Sequence, residues 1–169
     1  MDSCFRRNDK GGEFMKVIII MGSKSDLAHS EKIANSVKQF GVDCILRIAS
    51  AHKTPHKALD IIKEYDNEPI VLITVAGRSN ALSGFVDANT THPVIACPPY
   101  SEKFNGMDIL SSIRMPSGVC PMLVLEPEEA GLAALKILAS SNLTLRKKIE
   151  DYQKSHKAKI EKEDKELKE

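Results

Sequence analysis

Hydrophobic positions along this chain fall into short dense runs, and the stretches between them carry apolar residues at helical spacing. Lys16 to Met21 is an almost unbroken β-branched run, the pattern of a parallel strand buried on both faces. From Asp26 to Phe40, apolar Ile33, Val37 and Phe40 recur with helical period, and Gly41 supplies a natural stop. The unit repeats. Cys44 to Ala49 predicts a second strand, and Thr54-Pro55 predicts a helix start, with a hydroxyl cap and proline in the first turn, running to about Tyr65. Ile70 to Ala76, Pro93 to Cys97 and Met122 to Leu125 predict strands three to five. Helices are expected near Asn80 to Val86, Met107 to Ile113 and Glu128 to Ala139.

Such alternation implies right-handed crossovers and an α/β fold, most simply a flavodoxin-like three-layer α/β/α sandwich with a central parallel sheet. Residues 15–142 form the folded domain on this reading. The tail from Leu143 to Glu169 is rich in Lys and Glu, with Leu143, Leu145, Ile149, Tyr152 and Ile160 as its few apolar anchors. Its start predicts a C-terminal helix lying on the body or on a neighbouring subunit, and its end is expected to fray. The leader, residues 1–14, is polar and contains Gly11-Gly12; it is expected to be disordered, with Met15 as a candidate start.

In a parallel sheet the carboxyl ends of all strands share one edge, so the loops that follow them converge on one site. After strand one comes Met21-Gly22-Ser23-Lys24-Ser25-Asp26, where helix N-terminal N–H groups and the helix dipole favour an anion. This is neither a Walker loop nor a dinucleotide fingerprint, and it suits a single phosphate. Ser23 and Asp26, three apart, would equally serve as a capping box. After strand two comes Ser50-Ala51-His52-Lys53-Thr54-Pro55, whose His52 follows a strand expected to be central and can exchange protons near neutral pH. His29, His56, His92 and His156 sit on predicted helices or turns. After strand three, Gly77-Arg78-Ser79-Asn80 offers backbone donors, a guanidinium and two polar side chains, or simply an N-cap from Ser79 or Asn80. Pro98-Pro99 and Met115-Pro116-Ser117-Gly118 read as rigid walls near that edge or its rim.

Composition narrows the field. A length of 169 residues suits one domain with a full core, and a formal net charge of +1 gives no electrostatic case for nucleic acid or an anionic membrane. Any phosphate affinity is therefore local. No apolar stretch approaches the roughly 20 residues that cross a bilayer. Cys4, Cys44, Cys97 and Cys120 form no Cys-x-x-Cys pair, which points to a reducing cytoplasm, and no grouping has metal-ligand spacing. Cys97, before Pro98, reads as a small buried hydrophobe rather than a nucleophile.

Taken together, the four motifs Met21 to Asp26, Ser50 to Pro55, Ala76 to Asn80 and Met115 to Gly118 resemble the PurE-type family of purine biosynthesis, from about Lys16 to Ser141. The resemblance implies a homo-octamer with shared sites, and one of two activities. A carboxylase joins carbon dioxide directly to C4 of 5-aminoimidazole ribonucleotide; a mutase moves a carboxylate from N5 to C4. Mutases of the family usually carry a Gly-Gly-Ala-Ala-His-like third loop. This chain reads Gly77-Arg78-Ser79-Asn80-Ala81-Leu82-Ser83-Gly84, then Cys97-Pro98-Pro99, which look like the carboxylase branch. By resemblance, Gly22, Ser23, Ser25, Asp26, Ser50 and Lys53 would hold the nucleotide together with Gly77, Arg78, Ser79 and Asn80. Ser79 would also hold carbon dioxide, and His52 would be the general acid/base. Biotin, ATP and metal are not required. A remote alternative is a non-catalytic nucleotide or flavin sensor on the same fold, although the chain has no Trp and only 5% aromatic residues to sandwich a flavin.

Overall fold

The structure, a computed structural model, describes residues 15–168. The leader, residues 1–14, lies outside the described residues. Five strands form one all-parallel sheet: β1 (Lys16–Met21), β2 (Asp43–Ile48), β3 (Ile70–Val75), β4 (Val94–Ala96) and β5 (Met122–Leu123). Their spatial order is β2-β1-β3-β4-β5, the doubly wound flavodoxin-like arrangement. Among the described residues six helices connect and flank them: α1 (Leu27–Lys38), α2 (Pro55–Glu64), α3 (Ala81–Asp87), α4 (Leu110–Ile113), α5 (Pro127–Leu138) and α6 (Leu143–Glu166). Short 3-10 turns at Lys24–Asp26, Glu102–Phe104 and Met107–Ile109 lie in the connections.

Alternation along the strands divides the core into two. Val17, Ile19, Met21, Val71, Ile73 and Val75 face α1, α5 and α6, whereas Ile18, Ile20, Ile70 and Leu72 face α2 and α3. Both faces of β1 and β3 are thereby dry, which is why these strands read as unbroken apolar runs. Burying one such isoleucine contributes on the order of 1.5–3 kcal/mol.

Strand two departs from expectation. It lies at the edge, with Asp43 and Ile48 exposed and the residues between them half-buried. Its polar Asp43 and Arg47 sit where a central strand would have to bury charge, so edge placement keeps both in reach of water. The register nevertheless aligns Met21 with both Ile48 and Val75, so the first three strand-end loops leave the sheet at one level.

The tail also differs. Residues 143–166 are one continuous helix rather than a short helix with a frayed end. The Asn142 side chain caps it by accepting from the Leu145 N–H at 2.8 Å, and Leu145 and Ile149 enter the core beside α5. Tyr152 meets Phe40 edge-on at 5.3 Å, while Leu143 and Ile160 remain exposed and anchor nothing. The outer half is held by ion pairs one turn apart, Lys159–Glu163, Lys162–Glu166 and Lys168–Asp164, worth a few tenths of a kcal/mol each, and by the high helix propensity of Lys and Glu.

Candidate active site

The chain leaves β1 to build α1 on one side and leaves β3 to build on the other, so a crevice opens between the carboxyl ends of these neighbours. A cleft of about 580 Å³ occupies that place. It is lined by Gly22, Ser23, Ser25 and Asp26 after β1, and by Ser50, Ala51, His52 and Lys53 after β2. Ala76, Gly77, Arg78 and Ser79 after β3 complete it with Leu82, Pro99, Tyr100, Ser101 and Lys103. Of the residues assigned a part in holding the nucleotide or carbon dioxide or in proton transfer, all but Asn80 line this cleft. That side chain is buried: its Oδ1 accepts from the Ser83 N–H at 3.3 Å, capping α3, and its Nδ2 donates to Ser112 Oγ at 2.8 Å. Both ends of the amide are committed to holding the loop.

The first loop is a capping box and a cleft wall at once. The Ser23 N–H donates to Asp26 Oδ2 at 3.0 Å, and the Ser25 N–H to Ser23 Oγ at 3.3 Å. Gly22 ties this loop to the third, its N–H donating to the Val75 carbonyl at 2.9 Å. In the second loop, Thr54 does not cap α2 as expected. Its hydroxyl instead accepts from the Ser50 N–H at 2.9 Å, and the Thr54 N–H donates to the Ser50 carbonyl at 2.8 Å. These bonds close a tight turn with His52 and Lys53 exposed at its tip, and Pro55 starts the helix without needing a side-chain cap.

The third loop turns at Arg78, which has φ +61°, a left-handed conformation that costs a non-glycine residue on the order of 1–3 kcal/mol. Its N–H donates to Asp108 Oδ2 at 2.8 Å, and its carbonyl accepts from Ser111 Oγ at 2.9 Å. The guanidinium and the Ser79 side chain are left at the cleft.

Charge is local here, as the near-neutral chain requires. Among the described residues, Lys53, Arg78 and Lys103 line the cleft with Asp26 as its one carboxylate. Lys103, Tyr100 and Ser101 were not anticipated. They lie in the segment after β4, read from sequence as a proline wall, although the same edge rule that selected the other loops could have flagged Lys103 there. Met115-Pro116-Ser117-Gly118 is not among the cleft residues; Met115 and Val119 pack against Gly84 on α3. Cys97 is fully buried, and burial pushes its thiol up to about 12, with Glu126 and Glu128 acting in the same direction. It is not a nucleophile. Burial likewise raises Cys44 to about 11. Among the described residues no group of three or more His, Cys, Asp or Glu side chains is placed to hold a metal ion.

A family model described as AIR carboxylase matches residues 16–159, nearly the whole of the described chain. The chain belongs to the AIR carboxylase family. It is 62% identical over 161 residues to a phosphoribosylaminoimidazole carboxylase of Archaeoglobus fulgidus, covering 95% of this chain and 89% of that protein. A protein of the same name from Treponema denticola is 49% identical over 154 residues, covering 90% and 97%. The crystal structure of Treponema denticola PurE superposes with a TM-score of 0.89 at 48% identity, covering 92% of this chain and 99% of that one. The human bifunctional phosphoribosylaminoimidazole carboxylase/phosphoribosylaminoimidazole succinocarboxamide synthetase is 44% identical over 129 residues, and the chain spans only 30% of it. AIR carboxylase membership thus rests on the full α/β body, and the cleft lies where such a sheet reverses its winding.

Proposed function

We propose that this protein is a 5-aminoimidazole ribonucleotide carboxylase, joining carbon dioxide directly to C4 to give 4-carboxy-5-aminoimidazole ribonucleotide in purine biosynthesis. The observation that carries this reading is that the His52 turn and the Gly77–Ser79 loop line one cleft together with the anion-favouring start of the Ser23–Asp26 turn. The Ser23 and Ser25 hydroxyls and Lys53 bind the phosphate, with Gly22 and Ser50 lining the same end. Asp26 is a carboxylate and would repel a phosphate, so it accepts from ribose hydroxyls instead. Arg78 and Ser79, with the Gly77 backbone, hold carbon dioxide and the carboxylate it becomes.

The chemistry needs no redox partner. The exocyclic amine of the aminoimidazole pushes electron density onto C4, which attacks the carbon of carbon dioxide. A C–C bond forms as one C=O π pair becomes an oxygen lone pair, and the loop donors and guanidinium stabilise the charge that grows there. The C4–H bond then breaks, its electron pair restores the aromatic ring, and the proton passes to the His52 imidazole. Holding two reactants in one cleft supplies much of the rate.

In a single copy His52, Lys53, Arg78 and Ser79 are exposed, whereas carboxylation by a dilute neutral gas is favoured in a water-poor site. Tyr100 lines the cleft, Phe104 and Met107 group with its Arg78 and Ser79, and together with Leu110 and Ile113 farther along the same segment they are large apolar side chains each more than half exposed. A second copy covering them would both bury this surface and close the site, and the homo-octamer implied by resemblance supplies such copies. Free Cys44, Cys97 and Cys120 suit a reducing cytoplasm.

The test is direct. Purified protein is given 5-aminoimidazole ribonucleotide with isotopically labelled bicarbonate and no ATP, and in parallel the N5-carboxy compound. Labelled product from the first mixture is expected; product from the second alone would make the protein a mutase.

A further inference from the structure

We propose that Asp108 is a positioning residue for the carbon dioxide subsite, acting through the backbone of Arg78; this rests on the reading of the Arg78–Ser79 loop given above. Arg78 holds φ +61°, a conformation that a side-chain-bearing residue abandons unless its surroundings enforce it. The enforcement comes from a segment 30 residues away. Asp108 Oδ2 accepts from the Arg78 N–H at 2.8 Å. Ser111 Oγ lies 2.9 Å from the Arg78 carbonyl and 2.7 Å from the Asp108 carbonyl, so its one proton is shared between them, and it accepts from the Asn80 N–H at 3.0 Å. Asn80 Nδ2 completes the attachment at Ser112.

Asp108 itself does not line the cleft; the Arg78 and Ser79 that it holds do. An acceptor on this distant segment fixes the Arg78 N–H and keeps the turn whose Arg78 and Ser79 line the cleft together with His52. Without it, Arg78 relaxes to negative φ and the peptide rotates. Among the described residues no hydrogen bond joins Asp108 to the first or second loop, which hold the phosphate end, so nucleotide affinity is spared.

Three variants test this. Asp108→Ala is expected to lower kcat/KM at least tenfold, with the KM for carbon dioxide rising and the KM for the nucleotide changing less than threefold. Asp108→Asn keeps a carbonyl acceptor and is expected to stay within threefold of the parent. In an Arg78→Gly background, where positive φ is free, the added loss from Asp108→Ala should shrink below threefold. Equal losses in both backgrounds, equal losses for Ala and Asn, or a rise in nucleotide KM alone would each overturn the proposal. If Asp108→Ala does not fold, Ser111→Ala takes its place, with the same KM split expected and its absence decisive against. Should the parent protein show no carboxylation, the proposed reaction fails but the clamp is still tested: protection of the Arg78 amide against hydrogen exchange that disappears in Asp108→Ala supports it, and unchanged exchange defeats it.

Discussion

His52 sits at the tip of a turn closed by Ser50 and Thr54, and its imidazole makes no hydrogen bond within the described residues, which leaves both ring nitrogens for substrate. If it accepts the C4 proton, His52→Asn should retain the fold and nucleotide binding while turnover falls by at least about a hundredfold, the usual cost of losing a general base. Single-turnover carboxylation beside a nucleotide titration checks this, and near-normal turnover would remove His52 from the chemistry. A second histidine matters for a different reason. His29 on α1 places Nε2 3.3 Å from Cys97 Sγ, and burial lowers its pKa from 6.5. A depressed folded value means that the fold prefers the neutral ring, so the stability it contributes is present above pH 6.5 and is lost as the pH falls through the lowered value. Melting temperatures between pH 7 and 5 should therefore fall less steeply in His29→Gln than in the parent. An unchanged slope would show that His29 carries no such linkage.

Among the elements, α1 and α5 approach closely on one face of the sheet. Gly131 on α5 permits this, since a Cβ there would lie 1.9 Å from Ser36 Oγ and 3.2 Å from both Ser36 Cβ and the Ile33 carbonyl. The Ser36 hydroxyl is itself engaged, donating to the Ile33 carbonyl at 2.9 Å, so rotating it away breaks a buried hydrogen bond. Gly131→Ala is expected to cost about 1–3 kcal/mol, as overpacking does, and Ser36→Gly should recover part of it; urea unfolding of the single and double variants measures both. A neutral Gly131→Ala would mean that the helices separate freely. The type and order of these elements were legible from apolar periodicity, because dry strands and amphipathic helices leave different periods in a sequence. Two features were not. The edge position of β2 depends on which strand pairs with which, and the full extension of α6 depends on ion pairs that a count of apolar anchors does not register.

At the scale of the whole molecule, the cleft is a place where three strand-end loops and the segment after β4 meet, and the proposed homo-octamer would cover its exposed apolar flank. Phe104, grouped with Arg78 and Ser79 of the cleft, is 54% exposed, and Leu110, farther along the same segment, is 53% exposed. Sedimentation should find a particle of eight chains. Replacing both residues by Glu should dissociate it and abolish carboxylation together, while circular dichroism keeps the α/β signature. Dissociated protein with undiminished carboxylation would show that one copy closes its own site.

The chain alone determined its alternating architecture and ten of the residues on the cleft wall, because burial pattern and turn chemistry are local and the carboxyl edge of a parallel sheet gathers whatever follows each strand. Tertiary structure decided the rest. It bridged Asn80 to Ser112, brought Lys103 and Tyr100 to the wall, set Met115 against Gly84 on α3 and tied Arg78 to Asp108. Each of these pairs groups far apart along the chain, and such a contact is chosen by the packing of two elements against each other, which no local period records.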